Sequence, residues 1–130
     1  MPTTSTLPSA LWLDLLGKPF RAGARGPDAY DCEGLLLTIQ FRLGRAVPDH
    51  HSDAAQVSIA KLNWEPVAEA DAQPGDAILL RSTDPLWHVG VVCGAGWMIH
   101  AESVAGVVRE RYDDARWHKR VEGFYRWKKG

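Results

Sequence analysis

Tyr30-Asp31-Cys32-Glu33-Gly34-Leu35-Leu36-Leu37-Thr38-Ile39-Gln40 is the stretch that decides the fold. Asp31 is suited to cap a helix that opens at Cys32, because its side chain can accept a hydrogen bond from a first-turn N–H. Leu35, Leu36, Ile39 and Leu43 then recur with a 3.6-residue period, and Gly44 suits the stop. This places a cysteine in the first turn of a helix. Partial positive charge and free backbone N–H groups there can lower a thiol's pKa from about 8.5 toward neutrality. The same N–H groups can stabilise an oxyanion. The plain alternative is that Cys32 is a small buried residue with no chemistry.

Upstream, Ser9 precedes Ala10, Leu11, Trp12, Leu13, Leu15 and Leu16, which read as a short helix ending at Gly17 and Pro19. Gly17, Gly23 and Gly26, with Pro19 and Pro27 among them, make an irregular loop that leads directly to Cys32. Downstream, Asp49 to Asp53 is turn-like, and Ala54 to Leu62 carries a weaker helical pattern that ends before Pro66. Beyond the turn tripeptide Pro74-Gly75-Asp76, apolar runs at Ala77 to Leu80, Val89 to Cys93, Trp97 to Ile99, Val107 to Val108 and Phe124 to Trp127 read as strands. Helices first and a mostly antiparallel sheet afterwards is an α+β arrangement, expected to form one domain over residues 1–130.

The chain's 130 residues and 45% apolar content suffice for one core, and a monomeric unit is expected. Fifteen basic against 16 acidic residues, with no long run of either sign, argue against a nucleic-acid partner. No span approaches the roughly 20 apolar residues that cross a bilayer. The opening residues lack the basic and apolar regions of a signal peptide, so a protein cytoplasmic as synthesised is expected.

His88 and His100 lie 12 positions apart, with Gly94-Ala95-Gly96 between them as a reversal. A hairpin centred on Gly94 would set the two histidines directly opposite on one face, about 5 Å apart at Cβ. His88 would then serve as base toward Cys32, and His100 would fix its tautomer and orientation. A Cys with two His can also hold a catalytic metal. No close-spaced pair such as CxxC or HExxH favours that use, and His50 and His51, beside Asp49 and Asp53, read as a solvated loop. His118 reads as surface and Cys93, next to Val91 and Val92, as a buried apolar residue. Trp87 adjoins the proposed base and can line a cleft.

Three ordered blocks resemble the NlpC/P60 family of cell-wall cysteine peptidases, over about Leu16 to Trp127. Gly17-Lys18-Pro19-Phe20-Arg21-Ala22-Gly23 leading to Tyr30-Asp31-Cys32-Glu33-Gly34 is similar to the family's glycine-rich approach and Asp-Cys-Ser-Gly nucleophile motif. Gln73-Pro74-Gly75-Asp76 is similar to its Pro-Gly-Asp strand opening. His88-Val89-Gly90-Val91-Val92 and Met98-Ile99-His100-Ala101 match its base strand and the strand of its third polar residue. The resemblance implies a papain-like fold with Cys32 as nucleophile, His88 as base and His100 as orienter. It implies no metal or organic cofactor, and peptidoglycan stem peptides as substrate, commonly cut between D-glutamate and a diamino acid.

Phe20 stands where the family usually has Tyr, Glu33 where it has Ser, and Ala24 where it has a glycine. An ionised Glu33 would raise the thiol pKa if it pointed inward, or attract a substrate ammonium if it faced a subsite. Phe20, Asp31, Glu33 and Trp87 are the expected substrate contacts. The lack of a leader and of wall-binding repeats is similar to small members associated with phage tails, which implies tail proteins as partners and delivery to the wall with the virion. Two rival expectations remain: a noncatalytic tail or wall-binding module that keeps the fold, and an amidase or acyltransferase using the same Cys/His pair.

Overall fold

The computed structural model describes residues 6–49, 63–81 and 87–128. The expected helix over Ala54 to Leu62 and the pair His50 and His51 lie outside them. The described residues form one α-helix, α1 (Cys32–Arg42), and strands β1 (Trp64–Val67), β2 (Ala77–Arg81), β3 (Trp87–Gly94), β4 (Trp97–Glu102), β5 (Gly106–Arg111) and β6 (Val121–Trp127). The strands make one sheet in the order β1-β6-β2-β3-β4-β5, antiparallel at every step. The α+β class expected from the sequence is the one observed, with α1 opening at Cys32.

Strand alternation sends side chains to opposite faces of the sheet. Odd-numbered Leu79, Val89, Val91 and Ile99 join Leu35, Leu36 and Ile39 of α1 in the larger core. Even-numbered Ile78, Leu80, Val92 and Met98 meet Tyr112, Trp117 and Phe124 on the other face. Burial of a Leu or Ile contributes roughly 1.5–3 kcal/mol, so Leu35 and Ile39, both at 0% exposure, anchor the helix to the sheet.

Two elements differ from expectation. The segment after Ser9 forms two 3-10 turns, Ser9–Leu11 and Leu13–Leu15, instead of one continuous helix. Trp12 between them adopts φ −146°, and its indole N–H donates to the Leu7 carbonyl at 3.0 Å, which interrupts the helical ladder. Arg42 ties this segment to α1 through Asp14 at 2.7 and 3.0 Å. Strand β1 was not expected, because Pro66 reads as a breaker. Among the described residues it pairs only with β6, and an edge strand tolerates a proline that a central strand does not.

The Pro-Gly-Asp turn joins helix to sheet. Asp76, 1% exposed, accepts from Arg126 of β6 at 3.0 and 2.9 Å and from the Gln73 N–H at 2.8 Å. Gln40 of α1, fully buried, donates to the Gly75 carbonyl at 2.9 Å.

Candidate active site

Asp31 caps α1 as expected, its Oδ1 accepting the Gly34 N–H at 2.7 Å. Its other oxygen accepts the Gly23 N–H at 3.0 Å, and Arg25 donates to Oδ1 at 2.7 Å. Arg25 also reaches Asp49 at 2.7 Å and Glu33 at 3.5 Å, so one guanidinium gathers three carboxylates at the helix start. Gly34 has no room for a side chain: a Cβ there would collide with the Ala24 carbonyl oxygen. The approach loop is therefore packed against the first turn. Asp31 and Glu33, both expected as substrate contacts, are engaged within the chain in this structure. Asp31 is spent on the loop and the cap, and Glu33 is 5% exposed beside Arg25.

Cys32 is a free, partly exposed thiol in the first turn of α1. It packs against the core that holds Val89, the residue that follows His88, and the backbones of Val89 and Glu33 favour its charged form. Burial, reinforced by the charges of Asp31 and Glu33, pushes the thiol up to about 11, and the nearby backbone of Val89 and Glu33 pulls the other way. The lowered pKa expected from the helix start is thus not found: desolvation and two neighbouring carboxylates outweigh the helix terminus. Burial thus favours the neutral thiol.

The histidines meet by a different route from the one expected. The β3–β4 ladder pairs Val91 with Ile99 and Val92 with Met98, so the reversal is not centred on Gly94 and the two histidines are not directly opposite. His100 faces Gly90, whose built Cβ would lie 3.3 Å from the Cβ of His100. His88 is the diagonal neighbour on the same face, and its Nε2 reaches His100 Nδ1 at 2.7 Å. His100 Nε2 in turn lies 2.6 Å from Glu110 Oε2, and Arg116 donates to the other Glu110 oxygen at 3.0 Å. Both ring nitrogens of His100, at 0% exposure, are thereby engaged. Burial holds its pKa below 6.5 against the opposing pull of Glu110.

Trp117, also buried, packs on both imidazoles, with ring centroids 6.3 Å from His88 and 5.2 Å from His100. Trp87, the tryptophan singled out from sequence, packs half-buried against the core shared with α1, as does Phe20. Phe20 is held by a backbone bridge to Tyr30, two residues before Cys32. Cys93 is buried, and His118 is exposed beside Glu69 at 3.3 Å. Sequence reasoning missed Glu110 and Trp117. The signal for Glu110 was its even-numbered place in a strand expected to stop at Val108; Trp117 lies in a basic loop with no periodic signal.

A thiol at a helix start, held against the strand that carries an imidazole braced by a second imidazole, is an arrangement suited to nucleophilic attack with general-base help. The NlpC/P60 family model matches residues 17–126. A Listeria grayi protein named "Probable endopeptidase p60" is 32% identical over 111 residues, which are 85% of this chain and 20% of that protein. The chain thus spans about a fifth of the length of that relative. An NLP/P60 family lipoprotein-like structure from Staphylococcus aureus superposes with a TM-score of 0.74 at 23% identity, over 91% of this chain and 39% of the other. The NlpC/p60 domain of the peptidoglycan hydrolase SagA does so with a TM-score of 0.66 at 20% identity, over 90% and 93%. At those identities the likeness is one of fold, whereas the family match spans most of the sequence: this chain belongs to the NlpC/P60 family.

Proposed function

We propose that the chain is a thiol hydrolase that cuts peptide bonds in peptidoglycan stem peptides, with the D-glutamyl to diamino acid bond as the favoured site. The observation that carries the reading is that Cys32, at the start of α1, packs against the core that holds Val89, while His88, the residue before Val89 on β3, has its Nε2 2.7 Å from His100. The family membership and the relative named as an endopeptidase support it, and the SagA domain's name points to the same polymer.

Because burial favours the neutral thiol, His88 takes the Cys32 proton as the sulfur attacks the carbonyl carbon. The oxyanion so formed is assigned to the backbone N–H of Cys32 at the positive end of α1. His88 then gives its proton to the departing amine, the C–N bond breaks, and a thioester on Cys32 remains. Water attacks the thioester while His88 takes one of its protons, and that proton returns to the sulfur as the acid product leaves. His100 holds His88 in place throughout. No metal or organic cofactor enters any step.

Incubating purified peptidoglycan with the protein at neutral pH in the presence of a chelator, and analysing the fragments by mass spectrometry, tests the reading. New stem-peptide ends that require Cys32 are expected, and their masses identify the bond. Intact muropeptides that bind without cleavage would favour a recognition module, and hydrolysis of an amide outside the stem peptide or formation of an acyl-transfer product would favour the amidase or acyltransferase reading.

A further inference from the structure

We propose that Glu110 is a positioning residue that sets the proton pattern of both histidines and so decides which ring nitrogen of His88 acts as base. The inference rests on the hydrolase reading for its consequence, but its geometry stands apart from that reading. His100 is paired with Val108, and Glu110 with Met98, across the β4–β5 ladder. Glu110 is therefore the diagonal neighbour of His100, just as His100 is the diagonal neighbour of His88. One side chain from each of β3, β4 and β5 forms a row, from the partly exposed His88 through fully buried His100 to a half-buried carboxylate.

The direction of each hydrogen bond follows from the end of the row. Glu110, ion-paired with Arg116 at 3.0 Å, accepts and does not donate. His100 must therefore carry its proton on Nε2, where Glu110 Oε2 lies at 2.6 Å. A neutral imidazole with its proton on Nε2 has its lone pair on Nδ1, and that atom faces His88 Nε2 at 2.7 Å. His88 must donate from Nε2, which leaves its lone pair on Nδ1. The lone pair that takes the Cys32 proton is then the one on Nδ1. Without Glu110 either proton placement on His100 is allowed, and in one of them His88 holds its proton on the nitrogen that must act as base.

Glu110→Gln keeps the size of the side chain but offers both a donor and an acceptor, so it removes the directional constraint while sparing the fold. Ring-nitrogen NMR on histidine-labelled protein reads the tautomers directly, and steady-state cleavage of a muropeptide reads the consequence. In the unmodified protein His100 is expected as the single Nε2–H form and His88 as Nε2–H. In Glu110→Gln a mixture is expected, with kcat lowered about 10- to 100-fold, the size of effect typical when a partner that orients an imidazole is lost, and KM unchanged. Unaltered tautomer populations in Glu110→Gln overturn the proposal whatever the rate does. If the unmodified protein cleaves nothing, the hydrolase reading falls, while the ring spectra still decide the role of Glu110.

Discussion

Gly90 on β3 faces His100 on β4, and the missing side chain of one makes room for the ring of the other. A Cβ on Gly90 would sit 3.3 Å from the His100 Cβ and 3.2 Å from Ile78 Cγ2. Both lie at the tight end of real contacts, in a core where strain is not easily relaxed. The diagonal meeting of His88 and His100 depends on that space.

Gly90→Ala is accordingly expected to lower kcat by about tenfold or more while reducing stability by only about 1–3 kcal/mol, the usual cost of overpacking. Muropeptide cleavage rates and urea midpoints measured on the same preparations check this. A variant destabilised to that extent but with unchanged kcat would show that His100 does not need the space.

Asp31→Ala should behave oppositely. The carboxylate caps α1 and meets Gly23 and Arg25, so its loss is expected to cost about 1–3 kcal/mol through the cap and the contacts left unmade. KM should stay near that of the unmodified protein. A several-fold rise in KM with no fall in melting temperature would instead restore Asp31 to the substrate.

The contrast between these two positions marks what the sequence carried. The helix at Cys32 was legible because a cap, a 3.6-residue apolar period and a terminal glycine all agree over Asp31 to Gly44. The sheet was legible at Ala77 to Leu80 and Val89 to Cys93, where strands buried on both faces read as unbroken apolar runs. The hairpin register was not, because its turn lies between Gly94 and Trp97 and a shift of one residue in its centre changes every partner. Glu33 was read as facing either way; only the packing of the approach loop, with Arg25 held beside three carboxylates, turns it inward. The thiol's environment was misjudged for the same reason: helix position is visible in a sequence, whereas desolvation is a property of the assembled core.

The raised thiol pKa gives a third prediction. Alkylation of Cys32 by iodoacetamide, followed by peptide mapping to separate it from Cys93, should be slow at neutral pH and climb as pH rises toward about 11. A plateau of fast alkylation below pH 7 would mean that a thiolate–imidazolium pair exists at rest.

His100 supplies a fourth. Burial holds its pKa in the fold below 6.5, so the unfolded chain takes up a proton at a pH where the folded chain does not. Its contribution to stability is complete above about 6.5 and is lost as pH falls through the folded pKa, because the unfolded state binds more protons there. The urea midpoint should fall as pH drops below 6.5, and the fall over the first unit or so should be shallower in His100→Asn. Parallel curves for the two proteins would remove His100 as the cause.

The most direct measurement of the central claim is intact mass and peptide mapping of the protein acid-quenched during turnover of a muropeptide. An acyl adduct on Cys32 is expected, equal in mass to the substrate less the amine fragment released, and absent from Cys32→Ala, which forms no product. Product formation by Cys32→Ala, or an adduct on any other residue, would contradict that claim.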